Sequence, residues 1–100
     1  MRAKDERGPF IRSLEEGTEH RHYLTAQDPD DGRRYLWEAV EHQGKLVAIR
    51  QLEIDLEGGR WRYDWKHLED ESGFLTEGPL HLDKSILAVT RDVFLAEWEA

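Results

Sequence analysis

The sequence predicts an α+β domain in which a single antiparallel sheet of about four strands, arranged as a meander, carries a C-terminal helix on one face. Polar and apolar residues alternate over most of the stretch 19–67, as they do in half-buried strands. Glycine-containing turns separate the alternating segments, and no long helical segment lies between them, which excludes parallel crossovers. The last residues instead have helical spacing.

The chain has 100 residues, no cysteine and a formal net charge of -8. This length suits one domain, which we assign to residues 19–100, and excludes a disulfide framework. Residues 1–18 are predicted to be a flexible N-terminal segment with a short helix at 9–17. Proline at position 9 suits a first helical residue, and glycine at position 17 suits the residue after a helix end.

Four segments are predicted to be strands because they alternate in polarity and lie between turn sequences. The turns contain the Asp, Pro and Gly residues that favour chain reversal, at positions 28–32, 43–44 and 57–59. The predicted strands are His20–Ala26, Arg34–His42, Lys45–Leu56 and Gly59–His67.

The third predicted strand changes its alternation near Arg50 and Gln51. Its apolar residues occupy odd positions before this point and even positions after it: Val47, Ile49, Leu52, Ile54 and Leu56. One extra residue, a β-bulge, would bring all five side chains to one face of the sheet. A strand that is partly covered on both faces would give the same pattern.

The fourth strand has the clearest alternation, with Trp61, Tyr63 and Trp65 on one face and basic residues on the other. Together with Trp37 of a neighbouring strand, these rings are expected to pack under the C-terminal helix with Phe94 and Trp98. A short helix cannot cover a whole sheet face, so the alternative is that part of this row is a binding surface.

On the opposite side of this strand, Arg60 and Arg62 are expected to pair with Glu53 and Asp55 of the third strand.

Residues 68–80 form an acidic loop that Phe74 and Leu75 are expected to anchor. The stretch 83–100 is predicted to be helical, with Thr90 as an N-cap and residues 83–89 as a separate helical turn.

Charge excludes several classes of partner. Residues 67–100 contain two basic and eight acidic residues, so most of the net charge lies in the last third. No basic stripe is present for a polyphosphate backbone, and anionic membranes would repel the chain. Neither a spanning segment nor a secretory signal occurs, which makes the cytoplasm the expected compartment.

The order of features over about residues 35–99 resembles a small uncharacterised domain family of actinobacteria and other bacteria. The matching pieces are residues 51–54 and 57–60, Tyr63, the loop 69–78, Pro79-Leu80 and the helix 90–99. Trp61 and Trp65 depart from that pattern, where smaller residues are expected. The likeness implies a shared bacterial fold, some of whose members are suspected immunity or accessory proteins, and it supplies no catalytic residue.

His20 and His22 project from the same side of the first predicted strand, at a spacing that allows two imidazoles to bind one zinc or copper ion. Glu19, Asp28 or His42 would have to complete the shell, so the pair is more readily explained as two surface histidines. No catalytic signature is present, and no enzymatic activity or cofactor is predicted.

The sequence therefore predicts a small acidic, non-enzymatic module that binds a protein partner, with homodimerisation as a compatible outcome. Its sharpest form is an immunity-type inhibitor of a basic partner. The alternative is a small-molecule or metal-binding protein that uses a pocket between sheet and helix. The residues expected to bind protein are Trp37, Trp61, Tyr63, Trp65, Glu69, Asp70 and Glu71.

Overall fold

A computed structural model of the chain describes residues 4–100. It consists of one open antiparallel sheet with a helix on each face, in the order α1, β1 to β5, α2. The helices are α1 (Lys4–Gly17) and α2 (Arg91–Glu99), and the strands are β1 (His22–Gln27), β2 (Arg34–His42), β3 (Lys45–Ile54), β4 (Arg60–Tyr63) and β5 (Leu87–Ala88). The predicted α+β class and the meander are confirmed, with a fifth strand added.

The strands lie in the order β4-β3-β2-β1-β5, so the first four form the predicted meander. The turn between β2 and β3 has positive φ at both Gln43 and Gly44, as a two-residue hairpin turn requires. The bulge is present: Glu38 pairs with Arg50 and Ala39 with Ala48, which leaves Ile49 as the extra residue.

The bulge does not bring the apolar residues of β3 to one face. Val47 and Ile49 belong to the core on the α1 side, whereas Leu52 and Ile54 belong to the core under α2. Leu56 lies beyond the strand and is exposed. The structure instead has the alternative, a strand that is covered on both faces. Helix α1 packs on one face of the sheet and helix α2 on the other.

Helix α1 begins at Lys4, five residues before the predicted start, and Pro9 lies inside it. The helix is docked on the sheet through Ile11 and Leu14, which are buried. Gly8 allows the close approach, since a Cβ there would lie 3.2 Å from the carbonyl oxygen of Trp65. Residues 1–3 of the predicted flexible segment lie outside the described residues.

Strand β4 ends at Tyr63, four residues before the predicted end. The Asp64 carboxylate accepts hydrogen bonds from the backbone N–H groups of Lys66 and His67 at 2.8 and 3.1 Å, which turns the chain away from the sheet. Trp65 therefore lies in this turn and not on a strand.

The segment 83–89 is not helical. Asp83 accepts backbone hydrogen bonds from Ser85 and Ile86 in a turn, and β5 then pairs with β1. Helix α2 starts after Thr90, whose hydroxyl accepts the Val93 N–H at 3.2 Å, so the predicted N-cap is confirmed.

Candidate functional site: the aromatic face and the loop that covers it

The aromatic row faces away from the C-terminal helix, contrary to prediction. Trp37 and Tyr63 are 6% and 0% exposed and lie in the core on the α1 side, with Trp61 and Trp65 packed at its edge. Phe94 lies in the separate core under α2. The loop between β4 and β5, residues 64–86, and helix α1 cover the row instead.

On the opposite face of β4, two arginine side chains reach the C-terminal end of α2. Helix α2 has no basic residue in its last turn. Arg60 donates to the Glu97 carbonyl oxygen and Arg62 to that of Trp98, both at 2.7 Å. The predicted pairing of these arginines with strand β3 is wrong, since the carbonyl groups at a helix end attract cations.

A buried polar network lies beneath the loop and is centred on Gln51. Its side-chain oxygen accepts hydrogen bonds from the Trp37 indole at 2.9 Å and from the backbone and hydroxyl of Thr76 at 2.9 and 2.7 Å. Its amide nitrogen donates to Glu53 at 2.8 Å and to the Phe74 carbonyl oxygen at 2.9 Å. The Gln51 side chain thus bonds the loop to the sheet at two residues, Phe74 and Thr76.

Glu53 is 4% exposed and needs a counter-charge, which Arg33 supplies. Arg33 donates to the Glu53 carboxylate at 2.8 Å, and its guanidinium lies 4.6 Å from the centre of the Trp61 ring. Hydrogen bonding to Glu53 raises the pKa of Arg33 further. Trp61 is therefore half-buried beneath a cation.

Two basic side chains also lie against the Trp65 ring. The guanidinium of Arg12, on helix α1, lies 4.7 Å from the ring centre, and the Lys66 ammonium lies 5.5 Å away. These contacts place Trp65 at the junction of α1 and the loop, where it lines a cavity of about 650 Å³ together with Arg12 and Lys66.

Asp70, predicted to bind a partner, organises the loop. Its carboxylate accepts hydrogen bonds from the Tyr63 hydroxyl at 2.8 Å and from the backbone N–H groups of Ser72 and Gly73. The remaining oxygen lies 2.9 Å from His67 Nε2. The hydrogen bond from His67 is the largest of the contacts that lower the pKa of Asp70 to about 2. Burial, followed by the bond to Asp70, raises the pKa of Tyr63.

Glu69 and Glu71, on either side of Asp70, are exposed. The same part of the chain exposes large apolar side chains: Phe74 at 57%, Leu82 at 57% and Leu87 at 56%. We call residues 69–87 the acidic segment. It combines carboxylates with exposed apolar groups, a combination typical of protein-binding surfaces.

Beside the acidic segment lies a groove of about 460 Å³, which we call the Tyr35 groove. Its floor contains Tyr35 and Trp37, whose rings stack at 5.7 Å between centres, and the aspartate turn of residues 28–30 borders it. Thr76 and Ile86 of the acidic segment line the other side. A smaller cavity of about 250 Å³ continues past Tyr35 toward Glu53.

His20 and His22 lie at the start of β1 with their rings edge to face, 4.8 Å between centres. Among residues 4–100, no group of three or more histidine, aspartate and glutamate side chains is placed to hold a metal ion. His20 precedes β1, so the two histidines do not project from one strand as predicted, although their rings lie close together.

The sequence did not predict that Tyr35, Gln51, Glu53 and Thr76 form one site. The available signal was that Gln51 and Glu53 alternate with Leu52 and Ile54, so two polar side chains had to point into a face lined by aromatic rings. Thr76 gave no such signal because it belongs to an irregular loop.

Within residues 4–100, no helix is both long and apolar enough to cross a membrane. No protein-family model matches the chain, and neither a curated protein nor a solved structure matches it.

Proposed function

We propose that this chain is a small non-enzymatic interaction module whose acidic segment binds a basic protein partner. The observation that carries the proposal is that residues 69–87 expose Phe74, Leu82 and Leu87 among carboxylates. Apolar contact supplies affinity, while the carboxylates select a basic partner and speed its approach. The sharpest form is an immunity-type inhibitor that works in the bacterial cytoplasm.

The distribution of charge supports a basic partner. Several arginines in the described part of the chain are held by its own carboxylates, as in the pairs Arg33–Glu53, Arg34–Glu97 and Arg50–Glu38. Cations that are neutralised in this way contribute little to the outward field. The net charge of -8 is therefore expressed mainly by exposed carboxylates, which attract a positively charged surface.

The anchoring of the acidic segment also supports binding. Leu80 is joined to β3 by a backbone hydrogen bond to Leu46 at 2.9 Å, and Leu75 bonds to the Leu68 carbonyl oxygen at 2.8 Å. Arg7 of helix α1 donates to the carbonyl oxygens of Leu75 and Thr76 at 2.7 and 2.8 Å. A segment held at several points loses little conformational entropy when a partner binds.

These contacts change which residues we assign to the docking surface. Glu69 and Glu71 remain in it, and Phe74, Leu82 and Leu87 join it. We assign the other predicted residues to support: Trp37 donates to Thr76 and Tyr63 to Asp70, while Trp61 and Trp65 pack at the edge of the core.

The experiment starts with affinity capture of a partner from source cells by the full chain and continues with the purified partner. Association rates are measured at several salt concentrations for the unaltered protein and for the double variant Glu71→Lys, Phe74→Ser. We expect slower association at low salt, because opposite charges speed the encounter of the two proteins. We also expect faster dissociation at every salt concentration, because apolar contacts mainly set the dissociation rate.

The matched control is the double variant Glu41→Lys, Val93→Ser, which makes the same kinds of change at exposed positions outside the acidic segment. It is expected to bind nearly as the unaltered protein does. Equal effects of the two double variants would show that only net charge matters, and an unaffected Glu71→Lys, Phe74→Ser variant would remove the acidic segment from the interface.

A further inference from the structure

The Tyr35 groove has an aromatic floor and an acidic border. Tyr35 and Trp37 stack with an angle of 10° between ring planes, so the half-buried Tyr35 ring is held in place against the buried Trp37 ring. Asp28, Pro29 and Asp30 stand along one side of this surface, and Ser85 and Ile86 along the other. The groove is continuous with the acidic segment, since Ser85 and Ile86 belong to both.

This protein repeatedly places guanidinium groups on aromatic rings. Arg33 lies 4.6 Å from the ring centre of Trp61, Arg12 lies 4.7 Å from Trp65, and Arg50 lies 5.6 Å from Trp98. In the part of the chain that the structure describes, no cation lies over the Tyr35–Trp37 stack. The half-buried Tyr35 ring borders the groove instead, where a cation from outside can be attracted by the same ring quadrupole.

Carboxylates surround this stack on two sides. The aspartate turn lies on one side of Tyr35, and Glu53 pairs with Tyr35 across the strands on the other. Burial raises the pKa of Tyr35 most, and the negative charges of Glu53, Asp31 and Asp28 raise it further, while Arg33 opposes them. Arg33 is bound to Glu53 and offsets its charge, so the aspartates of the turn are the carboxylates left to attract a cation to the groove.

The aspartate turn is already in a fixed conformation. Asp28 donates its backbone N–H to the Arg33 carbonyl oxygen at 2.8 Å and accepts that of Gly32 at 2.9 Å. The Asp28 carboxylate accepts the Asp30 N–H at 2.8 Å. The exposed Asp30 carboxylate accepts no hydrogen bond from the described residues, which leaves both of its oxygens to a ligand with two parallel N–H groups.

We propose that the Tyr35 groove receives an arginine side chain of the basic partner, with its guanidinium stacked over Tyr35 and hydrogen-bonded to Asp30. This inference rests on the proposed function and specifies one contact of the interface. Arginine is preferred to lysine because its guanidinium is planar, stacks on rings and donates two parallel hydrogen bonds to a carboxylate.

The test uses Nα-acetyl-arginine amide as the probe and Nα-acetyl-citrulline amide as its uncharged counterpart of the same shape. Both are titrated into the ¹⁵N-labelled full chain while amide and indole N–H signals are followed by NMR. We expect saturable shifts for the Trp37 indole and the amides of Ala26, Thr76 and Ile86 with the arginine probe, at an affinity on the order of millimolar. The citrulline probe should produce none of them.

Asp30→Asn, an exposed substitution that preserves shape, should weaken binding of the arginine probe by about fivefold, as expected for loss of a charged partner. Tyr35→Leu should weaken it similarly and tests the stacking contact. The control Glu41→Gln, at an exposed site on β2, should leave the affinity unchanged. Equal shifts with both probes, or shifts centred on Trp61 or Trp65, would overturn the inference.

Failure here is distinguishable from failure of the proposed function. If the captured partner responds to Glu71→Lys, Phe74→Ser but not to Asp30→Asn or Tyr35→Leu, the groove is not part of the interface and the proposed function stands. If the arginine probe binds in the groove but the Glu71→Lys, Phe74→Ser variant binds the partner as the unaltered protein does, the proposed docking surface is wrong. The guanidinium site then stands.

Discussion

The indole N–H of Trp37 donates to the side-chain oxygen of Gln51 at 2.9 Å, in a contact between β2 and β3 that is closed to solvent. The same oxygen accepts the backbone N–H of Thr76, and the amide nitrogen of Gln51 donates to the Phe74 carbonyl oxygen. One glutamine thus satisfies an indole and the backbone of the acidic segment. The segment keeps its place over the sheet because its polar groups have partners there.

Gln51→Leu is expected to lower the free energy of unfolding by about 2–4 kcal/mol, because it leaves several buried polar groups without partners. Urea denaturation measures this loss. Gln27→Leu is the control, since Gln27 is exposed and makes one hydrogen bond at the surface. Its expected effect is within about 0.5 kcal/mol. Similar losses for the two variants would contradict a central role for Gln51.

Arg7 provides the second attachment of the acidic segment. It is 9% exposed, its pKa is lowered by burial, and it donates to the carbonyl oxygens of Leu75 and Thr76. Arg7→Met should destabilise the protein by about 1–3 kcal/mol, because the methionine stem keeps much of the packing but both carbonyl groups lose their donor.

Hydrogen exchange tests where the effect of Arg7→Met appears. Amide protection is expected to fall for Leu75 and Leu80, which bond to Leu68 and Leu46. Ser13→Ala is the control on the same helix, because the exposed Ser13 hydroxyl donates to the Phe10 carbonyl oxygen within that helix. If both variants leave protection of the segment unchanged, Arg7 does not hold it.

Gly32 closes the aspartate turn with φ of +75°, and a Cβ there would lie 2.9 Å from the Leu56 side chain. Gly32→Ala is therefore expected to destabilise the protein by about 1–3 kcal/mol through backbone strain and crowding. Gly78→Ala should have little effect, since a Cβ at that position would meet nothing within 4 Å and the φ of Gly78 is not in the left-handed region. Thermal denaturation compares the two.

The double variant Gly32→Ala, Leu56→Ala separates the two causes. Removing the Leu56 side chain should recover part of the lost stability and leave the part that comes from the positive φ. Full recovery would show that crowding alone matters, and no recovery would assign the whole loss to the backbone.

Helix α2 depends on arginines from the sheet, because its last turn has no basic residue of its own. Arg62→Met removes the donor to the Trp98 carbonyl oxygen, and we expect faster hydrogen exchange in the last turn of α2 with a loss of about 1 kcal/mol. Arg91→Met, at the first residue of the same helix, should not increase exchange in that last turn. If Arg91→Met speeds exchange in the last turn as much as Arg62→Met does, the effect comes from the loss of any positive charge and not from the hydrogen bond of Arg62.

Strand positions could be predicted from the sequence because alternation and turn residues are local signals. Strand β2 has the predicted bounds, and the Gln43–Gly44 turn and the Thr90 cap occur where their residue types favour them. The bulge lies within one residue of its predicted place, because a change in alternation marks it directly.

The assignment of faces could not be predicted in the same way. Alternation separates the Trp61 face of β4 from the Arg62 face, but it does not say which face a distant helix will cover. In the structure the arginines donate to carbonyl groups at the end of α2, which lies more than 30 residues away in the sequence, and an irregular loop lies on the tryptophan side. The Gln51 network was missed for the same reason, since its partner Thr76 is 25 residues away in that loop.

The Asp70 carboxylate makes the stability of the protein depend on pH in the acidic range. Its pKa is lowered from 3.8 to about 2, chiefly by the hydrogen bond from His67. A carboxyl group whose pKa is lower in the folded protein than in the unfolded chain stabilises the fold above its ordinary pKa. This contribution is lost as the pH falls from about 4 toward 2, so Asp70→Asn should show a smaller decrease in stability across that interval.

His67→Phe separates the hydrogen bond from the ring contact. The His67 ring stacks on Tyr63 at 5.6 Å between centres, and phenylalanine preserves a ring there but donates no hydrogen bond to Asp70. A ¹³C titration of the Asp70 carboxyl should therefore show its pKa rising toward 3.8 in this variant. His81→Phe, at an exposed site elsewhere on the loop, should leave that pKa unchanged. If His67→Phe leaves it at about 2, the Tyr63 hydroxyl and the loop backbone alone stabilise the carboxylate.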